Sequence, residues 1–434
     1  MRDLLRRPLM AVGLALVVVG LVGTVVAMSG SGDSDTSGGP LARDPRTGGG
    51  GQVLSELEAA VEQDPEDAET LAALGGAYVA QARITGDPSF YMRAEESLDR
   101  SMSVQPEGNV EALVAQSSLD GGRHDFDDAL RSGERARELA PDDADALGVV
   151  GDALIELGRY EEAFDVHQEM VDQRPDLASY ARVSYARELQ GDTDGAIEAM
   201  EAASRAAASP PDAAFTQHYL GELRWNSGQV DEAVEHYERA VELDDSFMPA
   251  QAALARAEFF AGRVDAAAER YNGVIDRFPL PQYVAELADL YVVTGQDELA
   301  EEQFELVEVQ RQLYEANDAN VDIDLAVFYA DHGIDPEGNL SAMEATWEDG
   351  ENIFVADALA WQLHALGRDA EALPYADEAL RLGTRNARFH YHRAEIHAAL
   401  GDDESARRDL EEAQAINPNF SILHAEEAER RAGG

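Results

Sequence analysis

Three histidines close together, His390, His392 and His397, with His424 further on, form the one local cluster in this sequence with the residue types for metal binding or proton transfer. On a helix, His390 and His397 share a face, while His392 points elsewhere, so the set does not converge as metal ligands must. Adjacent carboxylates such as Glu161-Glu162 and Glu301-Glu302 are the residue type for acid–base chemistry. With 86 acidic residues in 434, however, adjacent pairs are expected as helix-surface charge. No Gly-rich phosphate loop, H-E-x-x-H, G-x-S-x-G or Walker pattern occurs. Cysteine is absent, which removes disulfides, thiolate zinc sites, lipidation of an N-terminal cysteine and a thiol nucleophile. The sequence therefore predicts no catalytic residue, no metal site and no cofactor, and it reads as a protein that is not an enzyme.

A different regularity governs the elements that carry these side chains. Ala129, Ala163, Ala196, Ala233, Ala267 and Ala300 follow one another at intervals of 34, 33, 37, 34 and 33 residues, and Ala372 and Ala406 resume the series 34 apart. Helix signals flank each of them. In the unit from Ala144, Leu147, Val150, Gly151 and Leu154 share one helical face, and Gly158 follows where a helix should end. A second helix carries Ala163, His167 and Met170, and Pro175 stops it. A period of this length is the mark of stacked helix pairs, which build a long binding surface and seldom carry catalysis.

Charge narrows the partners. The chain carries 33 basic residues, every one an arginine, and a formal net charge of −53. Sequence-independent nucleic-acid binding needs a basic stripe and is excluded, and docking on an anionic membrane surface is disfavoured. The acidity keeps a long solenoid soluble, or reflects adaptation to high salt.

MRDLLRR precedes an uncharged run from Pro8 to Met28, long enough as a helix to span about 30 Å of bilayer. Arg2, Arg6 and Arg7 on its N-terminal flank put the N-terminus in the cytoplasm and the remainder outside. Residues 1–28 read as a cytoplasmic stub and transmembrane signal anchor; a signal peptide cleaved after Val25-Val26-Ala27 is the alternative, giving a secreted protein. Gly13, Gly20 and Gly23 make no clean GxxxG face, so the helix gives no sign of oligomeric state. Residues 29–52, rich in glycine and serine, read as a flexible linker, 53–420 as the solenoid, and 421–434 as a charged capping helix and tail.

The repeats resemble the tetratricopeptide family, in its membrane-anchored bacterial or archaeal form. GQVDEAVEHYERAVELD (Gly228 to Asp244) and LGRYEEAFDVHQEMVDQRP (Leu157 to Pro175) lie close to its pattern of L-G and an aromatic in helix A, then A…F/Y…A…P in helix B. Small residues at Gly151, Gly221, Ala163 and Ala233 let the two helices approach closely. Two units depart from the pattern: RITGDPS is inserted between Tyr78 and Ala94, and Asn339 stands where the small helix-B residue belongs. The resemblance implies an all-α, right-handed solenoid of about ten helix pairs whose helix A residues line a concave groove. Carried onto this sequence, the groove positions are Tyr185, His218, Trp225, Asn226, Arg256, Phe259, Phe260, Asp357, Trp361 and His364. Aromatic and arginine side chains there would anchor a protein or peptide; Trp225, Phe259 and Phe260 could equally pack against the neighbouring unit. The lysines with which some members clamp acidic C-terminal peptides are missing. The function implied is a membrane-anchored, extracytoplasmic interaction scaffold, or an accessory assembly factor for an exported complex, akin to the repeat subunits of cytochrome c maturation.

Overall fold

The computed structural model describes residues 50–317 and 322–432, all of whose regular structure is helical. The run from Pro8 to Met28 expected to cross a membrane lies outside the described residues, and among the described residues no helix is long and apolar enough to do so. Helix α1 (Gly50–Gln63) opens inside the end of the stretch read as a linker. Ten hairpins follow: α2 (Ala68–Thr85) with α3 (Ser89–Val104), α4 (Val110–Gly122) with α5 (Phe126–Leu139), and α6 (Ala144–Glu156) with α7 (Tyr160–Gln173). Next come α8 (Leu177–Leu189) with α9 (Thr193–Ala206), α10 (Pro210–Asn226) with α11 (Val230–Leu243), α12 (Met248–Phe260) with α13 (Val264–Ile275), and α14 (Pro281–Val293) with α15 (Asp297–Glu315). The last three are α16 (Asp322–His332) with α17 (Pro336–Asp349), α18 (Ile353–Ala365) with α19 (Asp369–Ala379), and α20 (Ala387–Ala399) with α21 (Asp403–Ile416). The short α22 (Ala425–Ala432) packs on α21 as a cap.

Local chemistry sets these boundaries. Asp67, Asp143, Asp176, Asp192 and Asp402 precede helices and accept hydrogen bonds from their first-turn amides, which have no intrahelical partner. Ala163 and Ala233 are fully buried between paired helices. A β-carbon on Gly151 would strike the His167 ring, and one on Gly221 the Tyr237 ring, so small residues recur where the partner helix presses closest. Asn339 departs from the expectation: instead of filling a small site it is half-buried and donates Nδ2 to the carbonyls of Ile334 and Asp335, while Leu340 and Met343 supply the buried contacts of α17. The inserted residues of the first unit lengthen α2 to 18 residues.

The solenoid also folds back on itself, which the repeat pattern does not announce. Six hairpins after α6–α7, the start of α18 lies against the end of α6. The Ile353 N–H donates to Tyr160 Oη at 2.9 Å, and Asn352 Nδ2 donates to the Glu156 carbonyl at 3.2 Å. One hairpin on, Thr384 Oγ1 donates to the Leu189 carbonyl. Arg381 ties Gly158 O and Glu351 O at 3.1 and 3.2 Å. Gly158 has φ +72°, and a β-carbon there would meet the Glu351 carbonyl, so only glycine admits both the turn and the approach. Successive turns of the superhelix are thus sewn along a seam.

Candidate functional site

Where the superhelix folds back, the groove becomes a partly open cavity of about 540 Å³, lined mainly by helix A residues from α2 to α20 and by the seam loops. One register position dominates it. Residues 151, 184, 221, 255 and 288 are small and face the partner helix; one step further along a helix, about 100° round, the side chain turns inward. That step carries Asp152, Tyr185, Glu222, Arg256 and Asp289, all of which line the cavity.

Most of these charges are paired. Arg182, 1% exposed, grips Asp152 with Nε and Nη2 at 2.8 and 2.6 Å, and His167 lies 3.5 Å from the same carboxylate. Burial would push Asp152 up, but the Arg182 charge and these bonds outweigh it and hold the carboxyl below its ordinary range. Arg256 Nη2 meets both oxygens of Glu222 at 2.8 and 3.0 Å, Tyr237 Oη donates to Glu222 at 2.7 Å, and the guanidinium lies 4.6 Å from the centre of the Trp225 ring. Of the other carboxylates in the lining, Glu286 accepts from Tyr271 Oη at 2.7 Å, and Asp289 contacts His332 at 2.8 Å.

Glu188 is the exception. Its hydrogen bond is from Asn226 Nδ2 at 3.1 Å, and no ion pair reaches it among the described residues. Burial pushes it up to about 7, the bond from Asn226 pulls it down, and the Glu222 charge pushes it up again. Among the described residues, Tyr185 Oη, Tyr219 Oη and His218 Nδ1, which line the same cavity, have no hydrogen-bond partner although the residues are 6, 6 and 8% exposed. Burial drives His218 down to about 4, so its imidazole is neutral.

Of the residues expected on the groove, Tyr185, His218, Trp225, Asn226, Arg256 and Phe260 line the cavity together. Phe259, Asp357, Trp361 and His364 do not. Phe259 turns into the apolar core beside Phe260. Asp357 is buried against His392, whose Nδ1 lies 2.9 Å from Oδ1. Trp361 stacks on His392 at 4.0 Å between ring centres and donates Nε1 to Asp331 at 2.7 Å, and His364 is tied to Asp369 at 2.5 Å. Here the C-terminal cap intervenes: His424 also reaches Asp331, at 2.9 Å, and closes over the Trp361 face. His390, paired with Asp409 at 3.0 Å, stands apart from His392, and no set of three metal-binding side chains converges among the described residues.

Sequence reasoning missed Asp152, Glu188, Glu222, Glu286 and Asp289, because acid-rich composition made every carboxylate look like solvated surface. The usable signal was register: Asp152, Glu222 and Asp289 each follow the small helix A residue.

Family models described as tetratricopeptide repeat match residues 112–178 and 185–246, 224–287, and 387–420. Among solved structures the chain is similar in fold to a thermophilic tetratricopeptide protein of Thermus thermophilus, at 20% identity over 44% of this chain and 99% of that one, TM-score 0.40. It is similar to yeast Tom70 at 14% identity over 89% and 94%, TM-score 0.37. Human IFIT1, solved as a dimer with PPP-AAAA, matches at 17% identity over 77% and 78%, TM-score 0.46. No curated protein matches by sequence.

Proposed function

Given that the chain belongs to the tetratricopeptide repeat family, we propose that it is an interaction scaffold that holds a segment of a protein partner inside its closed solenoid. The carrying observation is the cavity itself: about 540 Å³, within the range of specific ligand sites, walled by Trp225, Phe260, Tyr185 and Tyr219 and set with charges of both signs. Aromatic walls supply contact area and charges supply register, while the carboxylates and the charge of −53 repel acidic partners.

The position in the cell belongs to the same proposal. The uncharged run from Pro8 to Met28 behind three arginines supports a single N-terminal membrane helix, with residues 29 onward outside the cytoplasmic membrane. Protease added to intact cells without an outer wall tests it: cleavage of the solenoid is expected, and full protection refutes the orientation.

The experiment for the scaffold is cross-linking of the full-length chain in intact cells, beside Trp225→Ala and Trp361→Ala, with mass spectrometry of what is captured. Trp225 lines the cavity and Trp361 does not, so one partner should be lost with Trp225→Ala and kept with Trp361→Ala. Equal capture by all three refutes cavity binding. A captured set of subunits of one exported complex would identify the scaffold as an assembly factor.

A further inference from the structure

We infer that the cavity contains a site for a primary ammonium group, the side chain of a lysine supplied by the partner, formed by Glu188, Tyr185 and Tyr219. The inference rests on the scaffold reading and specifies the chemistry of what the scaffold holds.

Among the described residues no ion pair reaches Glu188 in the cavity, while two of the arginines that share it are committed, Arg182 to Asp152 and Arg256 to Glu222. An enclosed carboxylate is stable as an ion only when a positive charge or several donors accompany it. Asn226 gives one donor. The carboxyl also feels the Glu222 charge from α10, which disfavours its ionised form. His218 cannot supply a positive charge, since burial keeps it neutral. An arriving cation would restore Glu188 to its ordinary ionised form.

The form of the cation follows from the acceptors. An ammonium offers three donors in a compact head; a guanidinium offers a planar fork suited to one carboxylate. The site presents three separate acceptors on three side chains: the Glu188 carboxylate and the unpartnered hydroxyls of Tyr185 and Tyr219. Tyr185 and Tyr219 add aromatic surface on which a cation and its alkyl stem can rest. All 33 basic residues of this chain are arginines, so a lysine reaching the cavity comes from another molecule.

The test uses the full-length chain and four acetylated, amidated twelve-residue peptides, identical but for a central lysine, acetyl-lysine, arginine or glutamate within an apolar stretch. Binding is read by calorimetry. The lysine peptide should bind about tenfold or more tightly than the acetyl-lysine peptide. Glu188→Gln, which keeps an acceptor for Asn226, should erase that preference, and Tyr185→Phe should reduce it in part. Equal binding of lysine and acetyl-lysine peptides, or a preference untouched by Glu188→Gln, overturns the ammonium site and leaves the scaffold reading standing. Arginine binding as tightly as lysine overturns the choice of ammonium. No binding of any peptide, with Trp225→Ala still losing its partner in cells, overturns the site as well; with no such partner, both readings fall.

Discussion

Replacing Tyr160 by phenylalanine tests whether the seam holds the superhelix closed. Tyr160 is buried, its ring packs beside Phe164, and the Arg381 guanidinium lies 5.0 Å from its centre. Phenylalanine keeps all of that. What it removes is the acceptor for the Ile353 N–H, a first-turn amide of α18 that no intrahelical carbonyl can reach. Asn352 Oδ1 already serves the next two amides, Phe354 and Val355, at 2.8 and 2.9 Å, and Ile353 is fully buried. The N–H is therefore left unpaired away from water, which costs about 1–3 kcal/mol rather than the smaller net worth of a hydrogen bond. Urea unfolding of the full chain followed by circular dichroism should show the loss. Because repeat arrays unfold in parts, hydrogen exchange at the N-terminal turn of α18 is the sharper readout. Tyr180→Phe, a half-buried tyrosine outside the seam, is the control and should change stability by less than about 0.5 kcal/mol. If Tyr160→Phe is as mild as Tyr180→Phe and leaves exchange at Ile353 unchanged, the seam is not a stabilising contact and the closed cavity loses its basis.

Three further outcomes follow from the same structure. Arg182→Met strands the Asp152 carboxylate beside His167 and should cost about 3–5 kcal/mol in urea unfolding; adding Asp152→Leu should recover much of it. Gly158→Ala should destabilise more than Gly262→Ala: both sit at positive φ, +72° and +76°, at about 1–2 kcal/mol each, but only the first also drives a β-carbon into the Glu351 carbonyl. Burial would lower the pKa of His424, yet its bond to Asp331 and the charges of Asp331 and Asp289 raise it. Its contribution is thus complete below about pH 6.5, the unfolded value, and is lost as pH rises through the folded value. Hydrogen exchange in α22 should accelerate beyond its intrinsic pH dependence as pH rises above about 6.5, and His424→Gln should flatten the change.

The helix pairs were legible because their cause is local and repeated. A small residue every 33 to 37 positions, with caps and a following glycine, needs nothing beyond one hairpin to be read. Superhelical closure was not, because its contacts join residues 193, 195 and 196 positions apart, largely through backbone carbonyls that any sequence supplies. The cavity residues divided for related reasons. Tyr185, His218 and Arg256 follow from repeat register alone. Trp361 occupies the same register but meets the C-terminal cap, and Phe259 turns into the core, so the neighbour rather than the position decides. The carboxylates were hidden by their own abundance: a buried Glu222 and a solvated Glu232 differ only in where the fold takes them.

Seam and cavity are one object, and this couples ligand affinity to a residue that does not line the cavity. Asn352, Thr384 and Asn386 belong to the seam loops and line the interior, so a bound segment touches both turns of the superhelix. Tyr160 lies outside that lining. Each seam hydrogen bond contributes about 0.5–1.5 kcal/mol net, which puts closure on the order of a few kcal/mol and leaves an open minority through which a ligand can enter. Apparent affinity scales with the closed fraction. If closure is worth about 2 kcal/mol, a loss of about 1–3 kcal/mol lowers the closed fraction from near unity to between about 0.85 and a sixth, and weakens binding by up to about sixfold. Tyr160→Phe should therefore reduce affinity for a cavity ligand by that factor, with faster dissociation, although it contacts no ligand. Unchanged affinity together with lost stability would show that the cavity forms without the seam, and that the ligand site is held by the inner helices alone.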